Sequence, residues 1–450
     1  MTRRVTRRGA LAAAGAAAVG SLAGCSDVGT EPRFWDDPPS LDVAAVPREF
    51  EDPVPARPRL VPVDVEPRVA AAFADRVDRL LGVVPEPLTA ERLPHGGFRE
   101  RIETERAAAR EALPGPDESL PPLEAAERYA AARGHAATAV GTWAAVTVEG
   151  EPESVAADLG TVRHRASETL DALPGPAADP LAGTAVYGPL ERWYDNALRR
   201  TLVGGGSPAD EANPIRAGEA VGNVERVQSS VEAGRYLRDR YAASTPDPEP
   251  VAEPIRREMN RLGRAVGDRL RELHGEGVED LRESPGTEAF VDGRAVARDA
   301  PSTSLLSSAV YRTFDDLWFD PVAFGGYEPD HPVTGLTRTA LVRTRLRALD
   351  AVAARVEAGE TMFPDDAAAV GSAREAAIGS AGALARSENP LARWLVTQFL
   401  PLFAVQDRAL AADERSARSA VEAYTEYRWI ETVAGEAEAV AASVADGFES

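Results

Sequence analysis

Apolar residues recur at steps of three and four through most of this chain, the spacing that lines one face of an α-helix. Ile255, Met259, Leu262, Val266, Leu270 and Leu273 form one such line, and Val342, Leu346, Leu349, Val352 and Val356 another. The ends of the periodic stretches are marked. A capping residue followed by proline opens several, at Asp179-Pro180, Asn213-Pro214, Glu253-Pro254 and Asn389-Pro390. Proline suits the first helical position because its missing N–H has no helical partner there. The run Ala-Leu-Pro-Gly-Pro closes two stretches, at 112–116 and 172–176. The pattern predicts helices at 67–83, 98–113, 121–148, 152–173, 180–203, 214–243, 252–283, 302–318, 333–358, 364–387, 390–412 and 415–446. Long helices joined by short turns pack as antiparallel neighbours, so the expected fold is all-α, in one or two bundles. The Pro/acid stretch Ser244–Pro250 is the expected seam between a first half, 67–245, and a second, 250–450. Trp394 to Val405 is the most apolar run; it is too short to span a bilayer and contains Pro401, so it reads as a buried, kinked core helix.

The first 66 residues follow other rules. Arg3, Arg4, Arg7 and Arg8 precede a short Ala/Gly-rich stretch and then Leu22-Ala23-Gly24-Cys25. Charge, weak apolar core and small residues in that order make a signal rather than a membrane span. Thr6-Arg7-Arg8-Gly9-Ala10-Leu11 resembles the twin-arginine translocation motif, although it lacks the phenylalanine common two places after the pair. Leu22-Ala23-Gly24-Cys25 resembles a lipobox. The resemblance implies export through the twin-arginine translocon, with Arg7 and Arg8 recognised. It also implies cleavage between Gly24 and Cys25, a lipid thioether on Cys25, and the membrane as the partner on the extracytoplasmic face. Residues 1–24 are then the signal peptide, and 25–66 the lipidated N-terminus and tether. Prolines recur at Pro32, Pro38, Pro39, Pro47, Pro53, Pro55, Pro58 and Pro62, which favours an extended tether. The alternative is that Phe34, Trp35 and Phe50 dock it on the body.

Composition sharpens this picture. Hydrophobic residues make up 44% of 450 residues but aromatics only 6%, so alanine supplies much of the core, as helices favour. Acids outnumber bases 72 to 50, for a net charge of −22, and every base is arginine. Removing the four arginines of 1–24 leaves −26. That charge excludes nucleic acid as a partner. Acid-rich, lysine-free chains resemble haloarchaeal proteins, whose self-repulsion molar salt screens to within ~3 Å. The single cysteine excludes an internal disulfide and a cysteine metal cluster.

Candidate chemistry is sparse. His95, His135, His164, His274 and His331 are scattered without zinc spacing, and no phosphate loop or nucleophile elbow is present. The reading therefore contains no metal and no cofactor. Tyr311 to His331 concentrates aromatics beside Asp315, Asp316, Asp320, Glu328 and Asp330, the mixture that a sugar or hard-cation site needs. The competing reading has Phe314, Leu317, Trp318 and Phe324 plugging a helix end into the core, and it is favoured because acids are dense everywhere. Arg338, Arg343, Arg345, Arg347 and Arg355 mark one helix that either receives an anion or pairs with neighbouring acids; pairing is favoured. The leading expectation is a non-catalytic, surface-anchored helical protein that binds a ligand or supports the envelope. The alternatives are an α/α-toroid glycosidase using Asp315 with Asp320 or Asp330, and a two-bundle protein resembling the imelysin type, whose histidine–glutamate motif is missing here. The anchor is one thioether, so Cys25→Ser should move the protein from the detergent phase to the aqueous phase on phase partitioning; a serine variant that still partitions with membranes contradicts the lipobox reading.

Overall fold

The computed structural model describes residues 40–115, 118, 120–147, 152–203, 213–274, 296, 300–318 and 331–449, with side chains described except at 152–159, 200–203, 274 and 314–318. The signal, Cys25, Phe34 and Trp35 lie outside the described residues. Helices run in the order α1 (Pro67–Leu81), α2 (Gly96–Ala112), α3 (Pro122–Thr147), α4 (Pro152–Asp171), α5 (Pro180–Val203), α6 (Pro214–Ser244), α7 (Ala252–His274), α8 (Pro301–Trp318), α9 (Pro332–Glu357), α10 (Ala367–Ala385), α11 (Pro390–Val396), α12 (Leu400–Ala411) and α13 (Ala417–Glu449). Among the described residues the β pairing is one isolated bridge, Ala177 to Glu249, so the fold is all-α. No described helix is long and apolar enough to cross a membrane.

The punctuation works as written at most starts. The Asn213 side chain accepts from Ile215 N at 3.0 Å, and Asn389 from Leu391 N at 2.9 Å. Asp179 accepts from Ala182 N at 2.7 Å. These bonds satisfy amides that a helix start leaves without partners. Glu253-Pro254 differs: α7 begins at Ala252, immediately after the buried Val251, and Pro254 sits inside the first turn, where its missing N–H costs nothing. The predicted helix 390–412 is two helices. Thr397 to Phe399 break it before Pro401, which has no amide to continue the ladder. The run is buried, as its apolarity demands: Trp394, Leu395, Val396, Phe399, Leu400 and Phe403 all lie in the core.

Two packing arrangements organise the body. In the first half, α3 and α6 approach through glycine. Cβ atoms on Gly218 and Gly222 would overlap the Thr142 and Thr138 hydroxyls, and one on Gly141 would meet Val221 Cβ at 2.9 Å. In the second half, α9 is an axle with α5, α7, α8, α11 and α13 around it. Its apolar line was legible as one face, but three consecutive residues, Ala340, Leu341 and Val342, are buried, so it is enclosed around most of its circumference, with Arg347 left exposed. One continuous core runs from Val46, Val61 and Val63 through Leu237 and Leu349 to Val444, joining both halves.

Residues 40–66 are a strap rather than a free tether. Val61 and Val63 are buried between exposed Pro62 and Asp64, and Val46 is also in the core. Arg415 donates to Val46 O at 2.6 Å, and Arg374 to Asp52 O at 2.8 Å. The Arg374 guanidinium also lies 4.3 Å from the Phe50 ring centroid, so Phe50 docks. Farther along, Glu66 N donates to the Tyr236 hydroxyl at 3.0 Å. The strap thus crosses from the second half onto the first.

The α3–α6 contact has a test in which one substitution takes opposite signs. Gly222→Ala should destabilise by about 1–3 kcal/mol, because the new methyl meets Thr138. Gly263→Ala, in α7 with nothing near its Cβ, should stabilise by about 0.5–1 kcal/mol. Thermal melts of both variants in molar salt check this, and equal shifts would contradict it.

Candidate functional site: a cavity at the seam

The aromatic and acidic stretch singled out in the sequence falls largely outside the described residues. Asp320 and Asp330 lie outside the described residues, as does the Asp315 side chain, although Asp315 is on α8. Of that region, Tyr311 is exposed, Arg312 pairs with Glu426 (2.8 Å between Nη2 and Oε2), and His331 is the N-cap of α9. The arginines of α9 are taken up by neighbours. Arg347 meets Glu436 at 2.5 Å and Arg355 meets Glu360 at 4.0 Å. Arg343 and Arg345 donate to the carbonyls of Ala265 and Arg312 at 3.4 and 3.2 Å. Among the described residues no three His, Cys, Asp or Glu side chains are grouped to hold a metal. His135 meets Glu105 at 2.6 Å, far along the chain from His331 on α9.

A cavity of about 560 Å³ opens instead between the halves. The strap contributes Arg57, Pro58, Leu60 and Val61. The start of α3 contributes Pro121 to Glu124, then Glu127, Ala130 and Ala131. From α5 come Pro189, Arg192, Trp193, Asn196 and Ala197, whose steps of three, one, three and one place them on a single helical face. Arg226 and Ser230 of α6 stand one turn apart. The fourth wall is the α11–α12 break, with Trp394, Thr397, Gln398 and Pro401. The break that Pro401 imposes therefore supplies the cavity with an amide and a hydroxyl.

Arg192 dominates the electrostatics. Its guanidinium lies 5.1 Å from the Trp394 ring centroid, and its Nη1 donates to Gln398 Oε1 at 2.9 Å. Gln398 is itself oriented, because its amide nitrogen donates to Thr397 Oγ1 at 2.7 Å and so leaves Oε1 for the arginine. Gln398 is neutral, and among the described residues no carboxylate pairs with Arg192. Burial, and then repulsion from Arg338, push its pKa down to about 10, so it stays charged at neutral pH. Glu127 lines the cavity with about half of its side chain exposed. Burial raises its carboxyl pKa, Glu124 adds to the rise, and Arg57 at 3.8 Å opposes it.

Behind Arg192, Glu191 points the other way. Its Oε2 accepts from Thr334 N at 2.7 Å, so α5 caps the start of α9, whose own His331 gives no side-chain cap. Among the described residues its Oε1 has no hydrogen-bond partner. Burial outweighs the amide bonds from Thr334 and Val333 and raises the carboxyl to about 7. No motif signals these residues. Glu191-Arg192-Trp193-Tyr194 is dense in chemistry, but its meaning depends on Gln398 lying 206 residues away. A raised folded pKa means that the folded state holds the proton more tightly. The resulting stability is complete below about 4.5 and is lost as pH rises through about 7. Wild type should therefore lose about 3 kcal/mol between pH 4.5 and 8 relative to Glu191→Gln. Denaturation curves across that range check it; parallel curves for the two proteins would contradict it.

Residues 68–247 match a family described as a domain of unknown function (DUF8262), and residues 252–446 match one described as a domain of unknown function (DUF8264). No curated protein and no solved structure matches the chain. The chain is thus similar to DUF8262 in its first half and to DUF8264 in its second; the cavity takes walls from both matched segments and from the strap that precedes them.

Proposed function

We propose that this chain is a cell-surface lipoprotein whose helical body binds a small organic ligand outside the cytoplasm. The signal resemblance around Arg7-Arg8 and the lipobox resemblance at Gly24-Cys25 support export and anchoring at Cys25. The docked strap bears on the geometry: only residues 26–39 lie between the anchor and the body, and even fully extended they reach no farther than about 50 Å. The body is held near the membrane surface rather than on a long stalk.

The observation that carries the binding reading is the cavity of about 560 Å³, within the range of small-molecule sites, with an oriented charged group inside it. A filled core would suit a purely structural role better. The proposal is one of binding and rests on the cavity alone. A thermal-shift screen of organic acids, amines, nucleosides and sugars on the intact chain in molar salt tests the reading. A bound ligand at about 100 times its Kd adds about 2.7 kcal/mol of stability, so at least one class should raise the melting temperature by several degrees. Asn196→Trp, which fills the cavity from its exposed rim, should abolish that rise while leaving helical circular dichroism intact. If no class stabilises the protein, or if Asn196→Trp responds as wild type does, the binding reading fails.

A further inference from the structure

We propose that the cavity takes a small organic monoanion, a carboxylate on an apolar body, with Arg192 as its anchor. The proposal rests on the cavity being a ligand site and names what that site selects.

The first argument is the unsatisfied half of Arg192. Gln398 engages Nη1, and the Trp394 ring lies 5.1 Å from the guanidinium. Nε and Nη2 make no hydrogen bond among the described residues, yet neither is sealed away from solvent as a buried orphan. A guanidinium with one edge held and another open presents the planar fork that receives a carboxylate through two parallel bonds. Gln398 orients the fork without neutralising it.

The second argument is charge. The cavity is lined by three arginines, Arg57, Arg192 and Arg226, and two glutamates, Glu124 and Glu127. Arg57 lies 3.8 Å from Glu127, and Arg226 also acts on Glu105 outside the cavity, whereas Arg192 has no carboxylate partner among the described residues. One negative charge matches it. A phosphate dianion would leave an excess negative charge facing two carboxylates in a partly desolvated space. The long-range field of so acidic a protein repels every anion, but molar salt confines that field to ~3 Å, which leaves contact recognition by Arg192 in force.

The third argument is the remaining lining. Trp193, Pro189, Pro401, Leu123 and Leu60 offer apolar surface around the cation. Such a wall suits a ring or short hydrocarbon better than a fully hydroxylated ligand.

Three probes with the same body and different heads separate these points: 1-naphthoate, 1-naphthamide and 1-naphthyl phosphate, titrated calorimetrically into the intact chain in molar potassium chloride. Naphthoate should bind at least tenfold more tightly than naphthamide, and more tightly than the phosphate ester. Arg192→Met should erase the preference for naphthoate while leaving naphthamide binding within about twofold. Arg192→Lys, which keeps the charge but loses the fork, should fall between, and it serves as the second variant if the methionine protein does not fold. Equal binding of naphthoate and naphthamide, or a preference that survives in both variants, overturns the anchor but leaves the ligand site standing. Tighter binding of the phosphate ester overturns the monoanion assignment. If none of the three binds, the assignment of a carboxylate on an apolar body falls, while the ligand-site reading stands or falls with the thermal-shift screen.

Discussion

Arginine side chains of the second half hold the backbone of the strap, and the site depends on those bonds. Arg415 and Arg374 donate to the carbonyls of Val46 and Asp52, and Arg374 is itself clamped by both oxygens of Asp407, at 2.9 and 2.8 Å. Hydrogen bonds to a charged group contribute about 1.5–3 kcal/mol each, so a few of them fix a proline-rich segment that has no ladder of its own. With the strap in place, Arg57 to Val61 close one side of the cavity, and Val61 and Val63 complete a core shared by both halves. Without it, the α3 start and the α11–α12 break would face solvent.

The same residue type explains why the cavity is distinctive. Across the described body arginine is mostly neutralised at close range: Arg133 by Glu225 at 2.7 Å and Glu232 at 2.6 Å, Arg76 by Glu225 at 2.9 Å, Arg347 by Glu436 at 2.5 Å. An excess of acids makes such pairing easy. Arg192 departs from the pattern at a place where departure is costly, half-buried and facing the repulsion of Arg338. Leaving a buried cation with only a neutral amide partner is unfavourable for folding alone. It is favourable once an anion arrives.

Local rules were legible and long-range ones were not. The stops at Ala112 and near Ala172 and the caps at Asn213 and Asn389 could be read because each depends on residues a few places apart. The burial of α9 around most of its circumference could not, because alanine and threonine read as neutral on any face, and only the surrounding helices decide which are covered. The strap carried a partial signal. Val61, Val63 and Val65 alternate with Pro62 and Asp64, the period of an extended segment laid on a surface, but the density of proline suggested a tether. Arg192 carried none, since its partners come from a turn more than two hundred residues on, and the acid-rich background suggests that any arginine is paired.

On this proposal Arg192 is a cation without a carboxylate partner among the described residues, inside a cavity that an anion can enter. Crystals grown in molar potassium bromide would test that directly, because bromide is a monoanion with a strong anomalous signal. An anomalous peak in contact with Nε or Nη2 of Arg192, inside the walls made by the strap, α5 and the α11–α12 break, is the predicted result. A Glu124 or Glu127 carboxylate seated on that guanidinium, with bromide found only on the outer surface, would contradict it.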